Sequence, residues 1–203
     1  MRKTVAIDIN DVIRDNIRQF IKYYKIDVDQ FSEIEYDDMT SFNFDEVLLF
    51  ESKEDYFAFK YNDFPYELFS RAELTTENVV RDLNNWVQND LSNTDCDETP
   101  HLSLFSPLED SLTIQATYSF LARVGVRSRE MYFPVDSTTM WDRCDVMITA
   151  NPNLIELKPE GKMVIKINTP YNKDIDCEYS FDSLEDLLKS EDNVIIKFLE
   201  ENN

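Results

Sequence analysis

One histidine, His101, and three cysteines, Cys96, Cys144 and Cys177, are all the imidazole and thiol chemistry in this 203-residue chain. A single imidazole excludes multi-histidine metal sites and argues against a histidine-based catalytic triad. Three cysteines, with no paired short spacing, suggest neither a disulfide framework nor a zinc cluster, so reduced thiols are expected. Any metal would then be a hard cation held by oxygens. Long apolar runs are missing too: stretches such as 47–50 and 194–196 fall far short of the roughly 20 residues that span a bilayer. The opening MRKTVAIDIN passes from two basic residues straight into a strand-like segment, without the apolar stretch and cleavage site of a secretory signal. The expectation is an intracellular, cytoplasmic protein. Basic residues are the minority, 20 against 41 acidic ones, for a formal charge of −21. Such a field repels nucleic acid and anionic lipid, so neither is expected as a partner. It also opposes a small phosphate ester unless a cation or local basic residues reverse it.

What is present suffices for one sizeable core with an inserted satellite, at 42% hydrophobic and 13% aromatic residues. Residues 3–7 read as a short buried strand ending at Asp8. A polar turn, Asn10-Asp11, follows, and then Ile13, Ile17, Phe20, Ile21 and Tyr24 fall on one helical face. From 26 to 100 strand alternation disappears. Ser52 can cap a helix running toward Phe69, and Thr75 or Thr76 another with Val79, Leu83, Trp86 and Val87 as its stripe. The polar tract 89–100 reads as a returning loop. The α/β rhythm resumes with a strand over 101–105, a helix from Leu112 that stops at Gly125, and strands over 129–133, 145–149 and 162–167. A short acidic helix starts near Asp182, and 194–199 closes the chain as strand or helix.

Alternating strands and helices predict an α/β, Rossmann-like parallel sheet, with an all-helical cap inserted after the first strand. The core is expected over 1–25 and 101–203, and the insertion over 26–100. Ligands of such sheets sit beyond the carboxyl ends of the strands, which directs attention to Asp8, Asn10, Ser106, residues 136–139 and residues 149–153.

The segment VAIDINDVIRD, with Asp8 at a strand end, Asn10 two residues on and then Val12, resembles the first motif of the haloacid-dehalogenase superfamily. The stretch HLSLFSPLED resembles its second motif, a strand ending in Ser or Thr before a helix, and the helical insertion matches the family's cap position. Within the superfamily the layout is most similar to the 5'(3')-deoxyribonucleotidases, where a late Pro-Tyr-Asn tends to follow the last core strand, as Pro170-Tyr171-Asn172 does. The resemblance implies an aspartyl-phosphate route with Asp8 as nucleophile, a second acid two residues on that protonates the leaving group, and Mg2+ offsetting the negative charge. It also implies that Ser106 hydrogen-bonds a phosphoryl oxygen; the residue can equally cap the turn before Pro107.

Three positions depart from the family's pattern. Asn10 stands where the acid belongs, and a carboxamide cannot donate and recover a proton at neutral pH. Arg143 is the one basic residue between Phe133 and Pro152, leaving it as the candidate for the cation that steadies the phosphate. The strand toward Thr149 ends at Asn151 where the family carries acids, so Asp8 and Asn151 are the candidate ligands of a weak magnesium site. Asp136 and Asp142 are conceivable displaced ligands. Together these departures point to a nucleotidase-related protein with a degenerate active site, in a binding, regulatory or assembly role, with the acidic insertion available to a protein partner or a second copy. The alternative is an active Mg2+-dependent phosphomonoesterase that uses Asp8.

Overall fold

The computed structural model describes residues 3–92, 100–107, 110–190 and 194–201. Six strands form one parallel sheet, β1 (Thr4–Asp8), β2 (His101–Phe105), β3 (Met131–Tyr132), β4 (Val146–Thr149), β5 (Met163–Ile167) and β6 (Tyr179–Phe181), in the order β3-β2-β1-β4-β5-β6. The chain winds outward from β1 to β3, returns to the other side of β1 at β4, and winds outward again. The order therefore switches between β1 and β4, where a crevice opens above the strand ends.

Helices cover both sheet faces, so the central strands are apolar nearly throughout rather than alternating with polar residues. Val5, Ile7, Leu102, Leu104, Ile148 and Ile165 enter one core, whereas Ala6, Phe105, Met147 and Val164 enter the other with Trp141 and Leu154. This is the two-residue period of a strand sorted onto two buried faces.

The helices are α1 (Asn16–Asp27), α2 (Lys53–Ala58), α3 (Val79–Ser92), α4 (Ser111–Val124), α5 (Pro152–Glu156), α6 (Leu184–Lys189) and α7 (Val194–Glu201). Asp15 caps α1 by accepting from the Arg18 N–H, and Gly125 ends α4 at φ 76°, the left-handed geometry that glycine reaches without strain. The first helix starts later than the apolar spacing predicts, because Ile13 is buried from the preceding loop. The helix expected from Ser52 to Phe69 is broken. After α2 the chain takes π-helical turns at Phe59–Asp63 and Tyr66–Ser70, with Phe64 and Pro65 between them. The strand β6 was not legible in the sequence, being three residues long and at the sheet edge. The segment 194–199 is helical, and the expected loop at 89–100 gives way to α3 as far as Ser92; residues 93–99, Cys96 among them, lie outside the described residues.

Between α1 and β2 the described residues hold helical turns and no strand of the sheet. One β-like bridge ties this region back to the core, where the Asp15 N–H donates to Glu73 O and the Thr75 N–H donates to Ile13 O, both at 3.0 Å. Phe20 of α1 packs edge-on against Phe44, Phe59 and Phe69 at centroid distances of 5.0, 6.3 and 6.0 Å. The first helix thus shares its apolar face with the insertion. The third helix, by contrast, lies against α6 and β2.

Candidate functional site

Asp8 ends β1 at the switch point and is 2% exposed. Its Oδ1 accepts from the Asn10 N–H at 3.0 Å and its Oδ2 from the Thr149 hydroxyl at 2.9 Å. Burial pushes its carboxyl up to about 7, against the lowering pull of those two donors.

The loop after Asp8 turns sharply. Asp11 takes φ 57°, unusual for a residue with a side chain, and its N–H donates to Arg14 O at 2.8 Å. Its carboxylate explains why an aspartate stands there: Oδ1 accepts from the N–H groups of Asn16 and Ile17, at 2.9 and 3.1 Å, at the start of α1. The other oxygen accepts from the Tyr171 hydroxyl at 2.9 Å. Burial, then repulsion from Asp15, raises this carboxyl also to about 7. Asp11 thus holds the loop to the helix.

Asn10 projects from the same loop into a polar cluster. Its Nδ2 donates to Ser106 Oγ at 3.1 Å, and its Oδ1 accepts from Arg14 Nη2 at 2.5 Å. Arg14 is wholly buried, and its guanidinium also donates to Thr117 Oγ1 at 2.7 Å, Phe69 O at 3.1 Å and Ser106 Oγ at 3.4 Å. The rings of Phe69 and Phe120 lie 4.9 and 5.6 Å from its central carbon, cation–π contacts in a site without water screening. The structure therefore gathers Asp8, Asn10 and Ser106, with Thr149 and Arg14 added.

Two other candidates lie elsewhere or are engaged. Arg143 is exposed, stacks over the Tyr132 ring at 4.9 Å, and stands two residues before Asp145, which accepts from the Thr4 N–H at the opening of β1. The backbone of Arg143 thus stands where β4 begins, at the opposite end of that strand from the crevice, and its guanidinium lies on the Tyr132 ring. Asn151 does follow β4 at the crevice, but its Oδ1 accepts from the Asn153 N–H at 3.0 Å and caps α5. Asp136 is exposed and caps the turn Ser137–Asp142, and Asp142 is exposed in that turn. The buried ammonium of Lys166 donates to Ile175 O at 2.7 Å.

These donors do not fit a tight magnesium site. A divalent cation wants several oxygens with net negative charge. Here Asp8 has a donor on each oxygen, the Asn10 oxygen faces a guanidinium, and the Asn151 oxygen is a helix cap. Among the described residues no three His, Cys, Asp or Glu side chains converge.

Above the cluster, a cavity of about 300 Å³ opens between Asn10, Asp11 and Pro107 on the core and residues 42–61 of the insertion. The fold is similar to that of a haloacid dehalogenase-like hydrolase of Burkholderia xenovorans, with a TM-score of 0.59, 9% identity, and 96% of this chain and 99% of that one covered. The chain has the haloacid-dehalogenase-like fold. A solved dehalogenase shares it at a TM-score of 0.52 and 10% identity, over 92% of this chain and 95% of that one. Identity at this level speaks to fold alone. No family model and no curated protein matches the chain, and no helix among the described residues is long and apolar enough to cross a membrane.

Sequence reasoning missed Arg14. The available signal was a basic residue directly after the apolar pair Val12-Ile13, four positions after Asn10. Past the end of β5, Tyr171 holds Asp11, and Asn172 Nδ2 donates to Ala150 O and Ile167 O, at 2.8 and 2.9 Å, tying together the chain ends of β4 and β5.

Proposed function

We propose that this chain is a nucleotidase-related protein of haloacid-dehalogenase-like fold that has lost efficient phosphoryl-transfer chemistry and works by binding in its cleft. The carrying observation is Asn10, a carboxamide fixed between Arg14 Nη2 and Ser106 Oγ at the position where the leaving group would need its proton. A carboxamide supplies none. General acid–base catalysis is worth about 10² to 10⁴ in rate, and loss of electrostatic support at the transferring phosphoryl group removes more. Asp8 supports the same reading: with a carboxyl near 7, both oxygens hydrogen-bonded and no cation-binding oxygens gathered beside it, it is a poor nucleophile at neutral pH.

The test is hydrolysis of a panel of phosphomonoesters, nucleoside 5'- and 3'-monophosphates included, with Mg2+, comparing the wild type with Asp8→Asn. The expected result is no turnover above the Asp8→Asn background and no Mg2+-dependent rise in melting temperature. Turnover that Asp8→Asn abolishes would establish a working phosphatase in its place.

A further inference from the structure

We propose that the cavity between core and insertion binds a small aromatic acid: a planar ring, a hydrogen-bond donor on its edge, and one anionic group. The inference rests on reading the cleft as a binding site and adds the chemistry of its occupant.

Asn16, on the cavity wall, is 6% exposed, and its Oδ1 is buried without a hydrogen-bond partner among the described residues. An orphaned buried acceptor costs about 1–3 kcal/mol, and few are left so without reason. Its backbone N–H is already bound to Asp11, so the first turn of α1 is satisfied and the carboxamide remains for a ligand. Turned about its Cβ–Cγ bond toward the cavity, it would be completed by a donor on the ligand edge.

The walls set the rest. Phe57 and Tyr61 lie nearly parallel, 14° apart with centroids 6.0 Å distant, and Phe57 is 51% exposed. Aromatic faces left toward solvent in a cavity favour a planar apolar guest. Lys53 and Lys60 stand beside them on the insertion. Lys53 holds Asp45 at 3.8 Å with its side chain 77% exposed, a loose pair that exchanges readily for a ligand anion. These two ammonium groups share the walls with Asp11 and Asp45, so the lining is near charge balance, the local relief an anion needs in a chain of formal charge −21. The volume, about 300 Å³, is at the small end of ligand pockets and suits one substituted ring.

The experiment is ligand-observed NMR titration of the full chain, without metal, using 4-hydroxyphenylacetate, phenylacetate, which lacks the donor, and 4-hydroxyphenethyl alcohol, which lacks the charge. Wild type should bind the first about three- to tenfold tighter than either other probe, the range of one hydrogen bond or one partly screened charge. Asn16→Ala should erase the preference over phenylacetate and leave that over the alcohol. Lys53→Met with Lys60→Met should do the converse. Absence of saturable binding of 4-hydroxyphenylacetate at millimolar concentrations, or preferences that survive these substitutions, would overturn the proposal. The probes carry no phosphate, so the outcome is separate from whether Asp8 turns over phosphoesters.

Discussion

Restoring the acid is the sharpest test of the site, and Asn10→Asp does it at almost constant shape. The new carboxylate would meet Arg14 Nη2 where the carboxamide oxygen now does, at 2.5 Å, and would accept from Ser106, whose hydroxyl can rotate. For charge centres about 4 Å apart the attraction is about 4 kcal/mol at an effective dielectric near 20. Taking a carboxylate out of water costs several kcal/mol. Arg14 is already fully buried in the wild type, so only the carboxylate adds desolvation. The two terms nearly cancel, and urea unfolding at pH 7 should change by no more than about 2 kcal/mol. The guanidinium holds the group ionised, with a folded pKa below the roughly 3.9 of an unfolded aspartate. Any stabilisation is then present above that value and lost as pH falls through the folded pKa. The same ionisation denies the leaving group a proton, so Asp8-dependent phosphate release should rise by less than about 10². A larger gain, measured with Mg2+ on a nucleoside monophosphate and abolished by adding Asp8→Asn, would refute the claim that Arg14 and the absent metal ligands disable the site.

Three other substitutions probe the cluster and its frame. Asp8 titrates from 3.8 unfolded to about 7 folded, so its contribution to stability is full below the unfolded value and lost as pH rises through the folded one. Asp8→Asn should therefore gain on the wild type between pH 5 and pH 8, by on the order of 1–3 kcal/mol in urea unfolding; a constant difference across that range would contradict the buried carboxyl. Asn172→Ala removes donors to Ala150 O and Ile167 O and the acceptor for the Thr169 N–H, and should cost about 2–4 kcal/mol. A loss under 1 kcal/mol would mean that water replaces the side chain. Gly125→Ala puts a Cβ at φ 76° with no atom within 4 Å, so the cost is backbone strain alone, about 1 kcal/mol by thermal unfolding.

The sheet was readable because its central strands are short apolar runs, each closed by a buried polar residue at or just past its end: Asp8 for β1, Ser106 for β2 and Asn151 for β4. The insertion was readable only as helical. Its breaks at Phe64-Pro65 and its π-helical turns follow from packing Phe59, Phe64 and Phe69 around α1, which no local periodicity records. β6 escaped because an edge strand of three residues, none of them buried, carries no continuous apolar run. In the site, Asp8, Asn10 and Ser106 could be named from spacing along strand ends. Arg14 could not, since its partners Phe69, Ser106 and Thr117 lie 55, 92 and 103 residues away. Asp11, visible in the sequence only as part of a polar turn, takes a left-handed backbone that turns its carboxylate onto the N–H groups of α1.

The charges of this cluster explain why losing one acid has consequences beyond one proton. Asp8 and Asp11 each titrate near 7, so at neutral pH the two together carry roughly one negative charge. Arg14, buried beside them, carries one positive charge. The strand ends at the switch point are thus close to neutral, whereas a divalent cation needs an excess of negative oxygens there. An acid at position 10 would shift that balance by one charge and be claimed at once by the guanidinium. The site's neutrality is therefore set by Arg14 as much as by Asn10, and the cavity above it can admit an anion that the rest of a −21 surface turns away.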